Sequence, residues 1–161
     1  MSIYISNIKK PGSVEFIDTQ YTINNQLFIP ANNLVLLPNN KGMIIPINQN
    51  GFDIFNWLDT NGKITPNEEI GDEKILRTSF NVIPTLNNRN LIIDLNIGGT
   101  IGVIYEETII LAKGANNVTK VSVSIPYYVL DTFQANGGEI RVRCDGDISI
   151  YGIRHYFKGQ I

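Results

Sequence analysis

The sequence predicts an all-β fold: a two-sheet antiparallel sandwich of the jelly-roll type, with one short helix. About ten short apolar segments follow one another, and most alternate apolar and polar residues with the period of two that marks a strand with one buried face. Asn, Gly and Pro separate these segments as turn residues. A parallel α/β sheet would require a helix between successive strands, and the sequence does not show that alternation. The sandwich is therefore the favoured architecture.

The segment 138–158 carries the clearest strand pattern and has two arms. We interpret it as a β-hairpin with a loop at 145–147, because only that register places the apolar residues of both arms on one face. In the second arm the alternation changes phase at Gly152, which predicts a β-bulge. The apolar residues of the pattern are Ile140, Val142, Cys144, Ile148 and Ile150.

The other strands are predicted from shorter patterns. Apolar runs at 34–37 and 43–47 indicate strands buried on both sides, with Pro46 favouring an edge. The aromatic cluster at 52–58 fits either a short strand or one helical turn. Alternation predicts the remaining strands at 14–18, 21–29, 76–82, 91–97, 102–113 and 119–125.

The helix is predicted at 126–133, with Pro126 at its start and Gly137-Gly138 after its end. We expect a single β-sandwich domain over 13–161, preceded by an N-terminal arm or edge strand at 1–12. A polar segment at 59–74, rich in turn residues, predicts a long surface loop.

Composition limits the classes of function. The chain has 161 residues and a net charge of -2, which does not favour a nucleic-acid binder of the basic-patch kind. It has no apolar run of the length that spans a membrane and no signal-peptide core, so we expect neither a membrane partner nor a secreted protein. The single Cys144 rules out an intrachain disulfide and fits a small core residue.

Catalytic, cofactor and metal sites are not predicted. The only histidine, His155, lies on the apolar face of its strand with no nucleophile marked nearby, which favours a core or interface role. Glu106 and Glu107 are adjacent on a strand and therefore point to opposite faces, although Glu107 then falls on the inward side. The segment 59–64 resembles the start of a calcium loop but has lysine in a ligand position. We therefore expect no enzyme.

Apolar residues on outward faces favour self-association. Ile92, Ile104 and Ile110 point outward when their strands are oriented by the more apolar face. Exposed apolar patches of this kind usually mark an interface. The alternative is that loops of the same chain cover them.

Two further surfaces are candidates for binding. Arg141, Arg143, Tyr151 and Arg154 would form one basic face of the hairpin, suited either to solvent or to an acidic partner. Trp57 and Phe55 would offer a stacking platform for a sugar ring, although aromatic rings are more often core residues.

The Asn-rich and Ile-rich composition, the arm SIYISNIKKPG and the segment IRVRCDGDISIYGIRHYF resemble the jelly-roll decoration, auxiliary-capsid and fibre proteins of tailed bacteriophages. The resemblance implies a non-enzymatic virion protein, often a homotrimer, made in the host cytoplasm and bound to a capsid or tail lattice. It carries no functional residue over to this chain. The leading hypothesis is a homo-oligomeric structural protein attached by its arm; the alternative is a carbohydrate-binding or receptor-binding β-sandwich module.

Overall fold

The computed structural model describes residues 12–48, 54–65 and 71–160, which form eleven strands, one turn of 3-10 helix and one α-helix. The 3-10 turn is Ile54–Asn56, within the segment for which a strand or one helical turn was predicted, and the α-helix α1 is Asp131–Asn136. The strands are β1 Ser13–Ile17, β2 Leu27–Ile29, β3 Val35–Leu36, β4 Met43–Asn48, β5 Lys63–Ile64, β6 Glu73–Pro84, β7 Arg89–Asn96, β8 Val103–Leu111, β9 Thr119–Tyr128, β10 Gly138–Cys144 and β11 Ile148–Gln160.

The strands form two antiparallel sheets packed as a sandwich. The six-stranded sheet has the order β4-β1-β11-β6-β9, and β2 also pairs with β11. The five-stranded sheet has the order β3-β10-β7-β8, and β5 also pairs with β10. From β6 onward the chain changes sheet at every connection except the one between β7 and β8. This is the jelly-roll topology, so the predicted fold class is confirmed.

The core lies between the inward faces of the two sheets. Strand β9 shows the pattern most simply, because its residues from Lys120 to Tyr128 alternate strictly between exposed and buried. Ring packing fills one end of the core, where Phe157 meets Phe16 at 5.8 Å and Trp57 at 6.3 Å between centroids, both edge to face. Apolar burial therefore holds the two sheets together.

The predicted hairpin at 138–158 is wrong in its pairing, although its two strands and their buried faces are as predicted. Strand β10 belongs to the five-stranded sheet and β11 to the six-stranded one, so residues 145–147 cross between sheets. The crossover is fixed by its aspartates: the Asp145 carboxylate accepts a hydrogen bond from the Asn90 N–H at 2.9 Å, and the Asp147 carboxylate from the Ala31 N–H at 2.8 Å. Both aspartate side chains therefore stabilise the crossover by accepting backbone hydrogen bonds, as aspartate commonly does in turns.

The β-bulge predicted at Gly152 is confirmed. The pairing of β11 with β6 shifts register between Tyr151 and Arg154, and Gly152 has a φ of 67°. Glycine suits this left-handed conformation, and an added Cβ would also lie 3.0 Å from the Asn81 side-chain nitrogen. The bulge therefore requires glycine.

The helix begins later than predicted. Residues 126–128 belong to β9, and α1 starts only at Asp131. Proline is tolerated in β9 because this strand is the last one at its end of the sheet. In the parts of the chain that the structure describes, there is no helix with the length and apolar character needed to cross a membrane.

The predicted loop 59–74 contains ordered pairing in its described part. Lys63–Ile64 forms β5 and pairs with Gly138 and Glu139, while Glu73 and Lys74 already belong to β6. The Asp59 carboxylate accepts hydrogen bonds from the N–H groups of Asn61 and Lys63, which closes the turn before β5. Residues 1–11 of the predicted arm at 1–12 and residues 66–70 of the predicted loop lie outside the described residues. The predicted domain organisation stays a prediction.

Candidate interaction surfaces

The outer face of the five-stranded sheet carries the three predicted interface isoleucines. Ile110 is 65% exposed and Ile104 is 42% exposed, while Ile92 is half-buried. Ile92 lies opposite Thr108, and Asn90 lies opposite Ile110, so Ile92 and Ile110 are diagonal neighbours. We call Ile92, Ile104 and Ile110 with the residues between them on β8 the isoleucine face.

The isoleucine face lies at the β8 end of its sheet. Among the described strands β8 pairs only with β7, and most of its residues are exposed. A register shift near Asn96 leaves one extra residue in β8 at Ile104. Glu107 lies on the inward face, as predicted, because it is opposite the buried Ile93. Its side chain is nevertheless exposed, and its carboxylate accepts a hydrogen bond from the Tyr105 hydroxyl. Burial and this carboxylate raise the pKa of Tyr105 to about 12.

The four residues predicted to form one basic surface are divided between the two sheets. Arg141 and Arg143 lie on β10, whereas Tyr151 and Arg154 lie on β11, because the segment crosses between sheets instead of forming a hairpin. Side-chain alternation therefore places the two pairs on opposite outer faces of the sandwich.

Arg141 forms a bidentate ion pair with its cross-strand neighbour Asp94. The Nε–Oδ1 distance is 2.8 Å and the Nη2–Oδ2 distance is 2.9 Å. The Asp94 side chain is only 7% exposed, and the Arg141 side chain is 20% exposed. The hydrogen bonds to Asp94 raise the pKa of the Arg141 guanidinium. Arg141 therefore neutralises a buried carboxylate, whereas Arg143 is exposed.

The outer face of the six-stranded sheet holds a polar cavity that sequence reasoning missed. It has a volume of about 440 Å³ and is lined by parts of β1, β6, β9 and β11, including Arg77, Lys120 and Arg154. Of the four residues predicted to form the basic surface, only Arg154 lines this cavity. The signal was present in the outward positions of β6 and β9, where one cation on each strand is followed by short polar residues, but only the strand pairing brings them together.

Trp57 is not available for the predicted stacking on a sugar. It is only 3% exposed, it packs against Phe157, and the Lys74 ammonium lies 3.1 Å from the centroid of its ring. Phe55 is exposed, but the buried tryptophan gives it no partner ring for a platform. Trp57 contributes to the core instead.

A second apolar edge was also missed. Met43, Ile45 and Ile47 on β4 are exposed, although the apolar run was interpreted as buried on both sides. Strand β4 pairs only with β1 among the described strands, so its outer face is not covered by described residues. The edge position indicated by Pro46 is confirmed.

His155 and Cys144 both lie in the core, in different sheets. His155 is fully buried, and burial lowers its pKa to about 4, although the backbone of Leu37 acts in the opposite direction. Neither ring nitrogen has a hydrogen-bond partner among the described residues. Burial raises the pKa of the Cys144 thiol. Within residues 12–48, 54–65 and 71–160, no cluster of His, Cys, Asp and Glu side chains forms a candidate metal site.

Comparison with known proteins shows the fold and no family. No protein-family model and no curated protein matches the chain. It is similar to the structure of Eiger TNF from S. frugiperda, with a TM-score of 0.56 and 7% identity over 94% of each chain. It is also similar to the PRD1 vertex protein P5, with a TM-score of 0.46, 12% identity and coverage of 94% of this chain and 96% of that one. At 7% identity the first likeness shows a common fold alone, and one fold supports many functions.

Proposed function

We propose that the protein is a non-enzymatic structural module that self-associates through the isoleucine face and is built into a larger assembly. The observation that carries the proposal is the exposure of Ile104 and Ile110 on the outer face of β8, where Ile92 is the diagonal neighbour of Ile110. Removing an isoleucine side chain from water lowers the free energy, so a partner that covers this face forms a stable complex with it.

A second copy of the chain is the partner that this face fits. Arg143 lies beside Ile92 on the same face, and Glu106 lies on β8 between Ile104 and Thr108. Both charged residues are exposed. A surface that carries apolar residues together with charges of both signs can bind a copy of itself, with the cation of one subunit facing the carboxylate of the next.

The assembly we propose is a virion, in which the protein acts as a decoration, auxiliary-capsid or fibre-associated component. The resemblance to phage virion proteins supports this assignment, and the jelly-roll fold is compatible with it. We propose a homotrimer. The alternative, a carbohydrate-binding or receptor-binding module, loses its predicted platform because Trp57 is buried.

The substitution Ile110→Asp is expected to dissociate the oligomer. Association would bury the new carboxylate without a partner, which should raise the dissociation constant by at least about tenfold. Light scattering over a dilution series measures this directly, and the wild type is expected at three times the 18.0 kDa mass of the chain.

The matched control is Ile23→Asp. Ile23 is 64% exposed, as Ile110 is, but it lies in the turn before β2 and away from the isoleucine face. This variant should keep the wild-type mass. A monomeric wild type at all concentrations, or the same mass for both variants, would contradict self-association through this face.

Removal of residues 1–11 is expected to abolish incorporation into particles without unfolding the domain. The fold should survive because Gly12 remains, and its carbonyl accepts a hydrogen bond from the Gly159 N–H at 2.9 Å. Thermal unfolding checks stability, and co-purification of the truncated protein with virus particles checks incorporation. Full incorporation of a folded, truncated protein would show that the arm is not the attachment.

A further inference from the structure

The polar cavity on the outer face of the six-stranded sheet has a floor of short side chains. Ser79 and Ser122 lie directly opposite each other on β6 and β9, and Arg154 lies opposite Ser79 on β11. Gly152 at the bulge adds no side chain. Longer side chains surround this floor, so the sheet face is concave at this point.

Cations dominate the wall of the cavity. Its nine lining residues include Arg77, Lys120 and Arg154, with Glu15 as the only carboxylate among them, in a chain whose net charge is -2. Arg154 and Glu15 form an ion pair at 3.5 Å, in which the Arg154 side chain is 53% exposed and the Glu15 side chain is 23% exposed. A pair whose cation is this exposed contributes little free energy, so a ligand anion can bind Arg154 beside Glu15 or in its place.

We propose that this cavity binds an acidic saccharide, a sugar ring that carries a carboxylate or a sulfate. The cations of the wall would bind the anionic group by charge-assisted hydrogen bonds. The hydroxyls of Ser79 and Ser122 and the amide of Asn81 both donate and accept hydrogen bonds, as the hydroxyl groups of a sugar require. This proposal is independent of the proposed self-association, because the isoleucine face belongs to the other sheet.

The shape and lining of the cavity favour a sugar over other anionic partners. A volume of about 440 Å³ is much larger than a free sulfate ion needs. The only aromatic lining residue, Phe80, has its ring buried in the core, and the Tyr156 ring beside the cavity already has the Arg77 guanidinium 5.1 Å from its centroid. The lining therefore offers a nucleotide base no free ring for stacking. An acidic protein surface would fit a flat cationic face better than a concave one with a hydroxyl floor.

The test is an NMR titration of the full chain with four probes: N-acetylneuraminic acid, glucuronic acid, methyl glucoside and sodium sulfate. We expect both acidic sugars to shift the backbone amides of Ser79, Ser122 and Gly152, with a dissociation constant on the order of 1 mM. Methyl glucoside should cause no shift, and sulfate should bind roughly tenfold more weakly than the acidic sugars.

Three variants separate the contributions. Lys120→Met should weaken binding of the acidic sugars roughly tenfold, because one charge-assisted hydrogen bond is lost. Lys158→Met, an exposed cation on β11 that does not line the cavity, is the matched control and should bind as the wild type does. Ser122→Val, at an exposed strand position, should weaken the sugars and leave sulfate binding unchanged.

Three results would overturn the proposal. The first is the absence of shifts with either acidic sugar up to about 50 mM, which would exclude even weak recognition. The second is sulfate binding as tight as that of the acidic sugars, which would show that the cavity recognises a free anion and not a sugar ring. The third is equal weakening by Lys120→Met and Lys158→Met, which would show attraction to the general charge of this face, as expected for an acidic protein partner.

Discussion

Acid is expected to destabilise the protein through His155, by about 3 kcal/mol between pH 7.5 and pH 4. The pKa of His155 is about 4 in the folded chain and 6.5 in the unfolded one, so the unfolded chain binds the additional proton in this range. Stability is therefore fully present above pH 6.5 and is lost as the pH falls towards 4. The cause is burial, since His155 packs between Phe16 and Thr78 with no charged neighbour in register.

The comparison with His155→Leu isolates this effect. Other groups of the protein also respond to acid, so the relevant quantity is the difference in unfolding free energy between wild type and variant at each pH. Urea denaturation at pH 7.5 and pH 4 measures this difference. If the leucine variant does not fold, His155→Gln replaces it in the comparison. Equal losses in the wild type and the variant would show that His155 does not titrate as its burial implies.

Replacement of Arg141 by methionine is expected to cost about 3 kcal/mol of unfolding free energy, because it leaves the buried Asp94 carboxylate without its partner. The pair is bidentate and largely removed from solvent. Breaking a buried pair is far more costly than removing both of its members. The double variant Asp94→Asn with Arg141→Met should therefore recover more than half of the loss.

Lys158→Met is the matched control, because Lys158 is an exposed cation on β11, in the other sheet and outside the isoleucine face. Its cost should be below about 0.5 kcal/mol, as expected of a surface substitution. Chemical denaturation of the four proteins decides the outcome. Equal costs for Arg141→Met and Lys158→Met would mean that the ion pair with Asp94 contributes nothing to stability.

Alternation in the sequence was sufficient to predict the fold class and most buried faces. In β10 and β11 every residue assigned to the apolar side is buried, both before and after the phase change at Gly152. This follows because the direction of a side chain depends on the local backbone alone. The outward directions of Ile104 and Ile110 were predicted for the same reason.

Strand partners could not be predicted, because they depend on the whole topology. A short connection at 145–147 serves a hairpin and a change of sheet equally well, and the pattern of faces is the same in both. The assumption of a hairpin placed Arg141 and Arg154 on one surface and hid the cavity, whose residues come from four strands. Trp57 was misjudged because its burial depends on Phe157, which is a hundred positions away in the sequence.

The position of β11 has a consequence for the order in which the molecule folds during synthesis. This strand pairs with β1, β2 and β6, so it joins the earliest strands of the six-stranded sheet to its later ones. Until the ribosome has released residues 148–160, β1 has no contact with β6, and their apolar faces remain in water. Pairing between strands so distant along the chain is slow, and the waiting chain is prone to aggregation. Translation speed and chaperone capture should therefore govern the yield of this protein more than the stability of its finished fold.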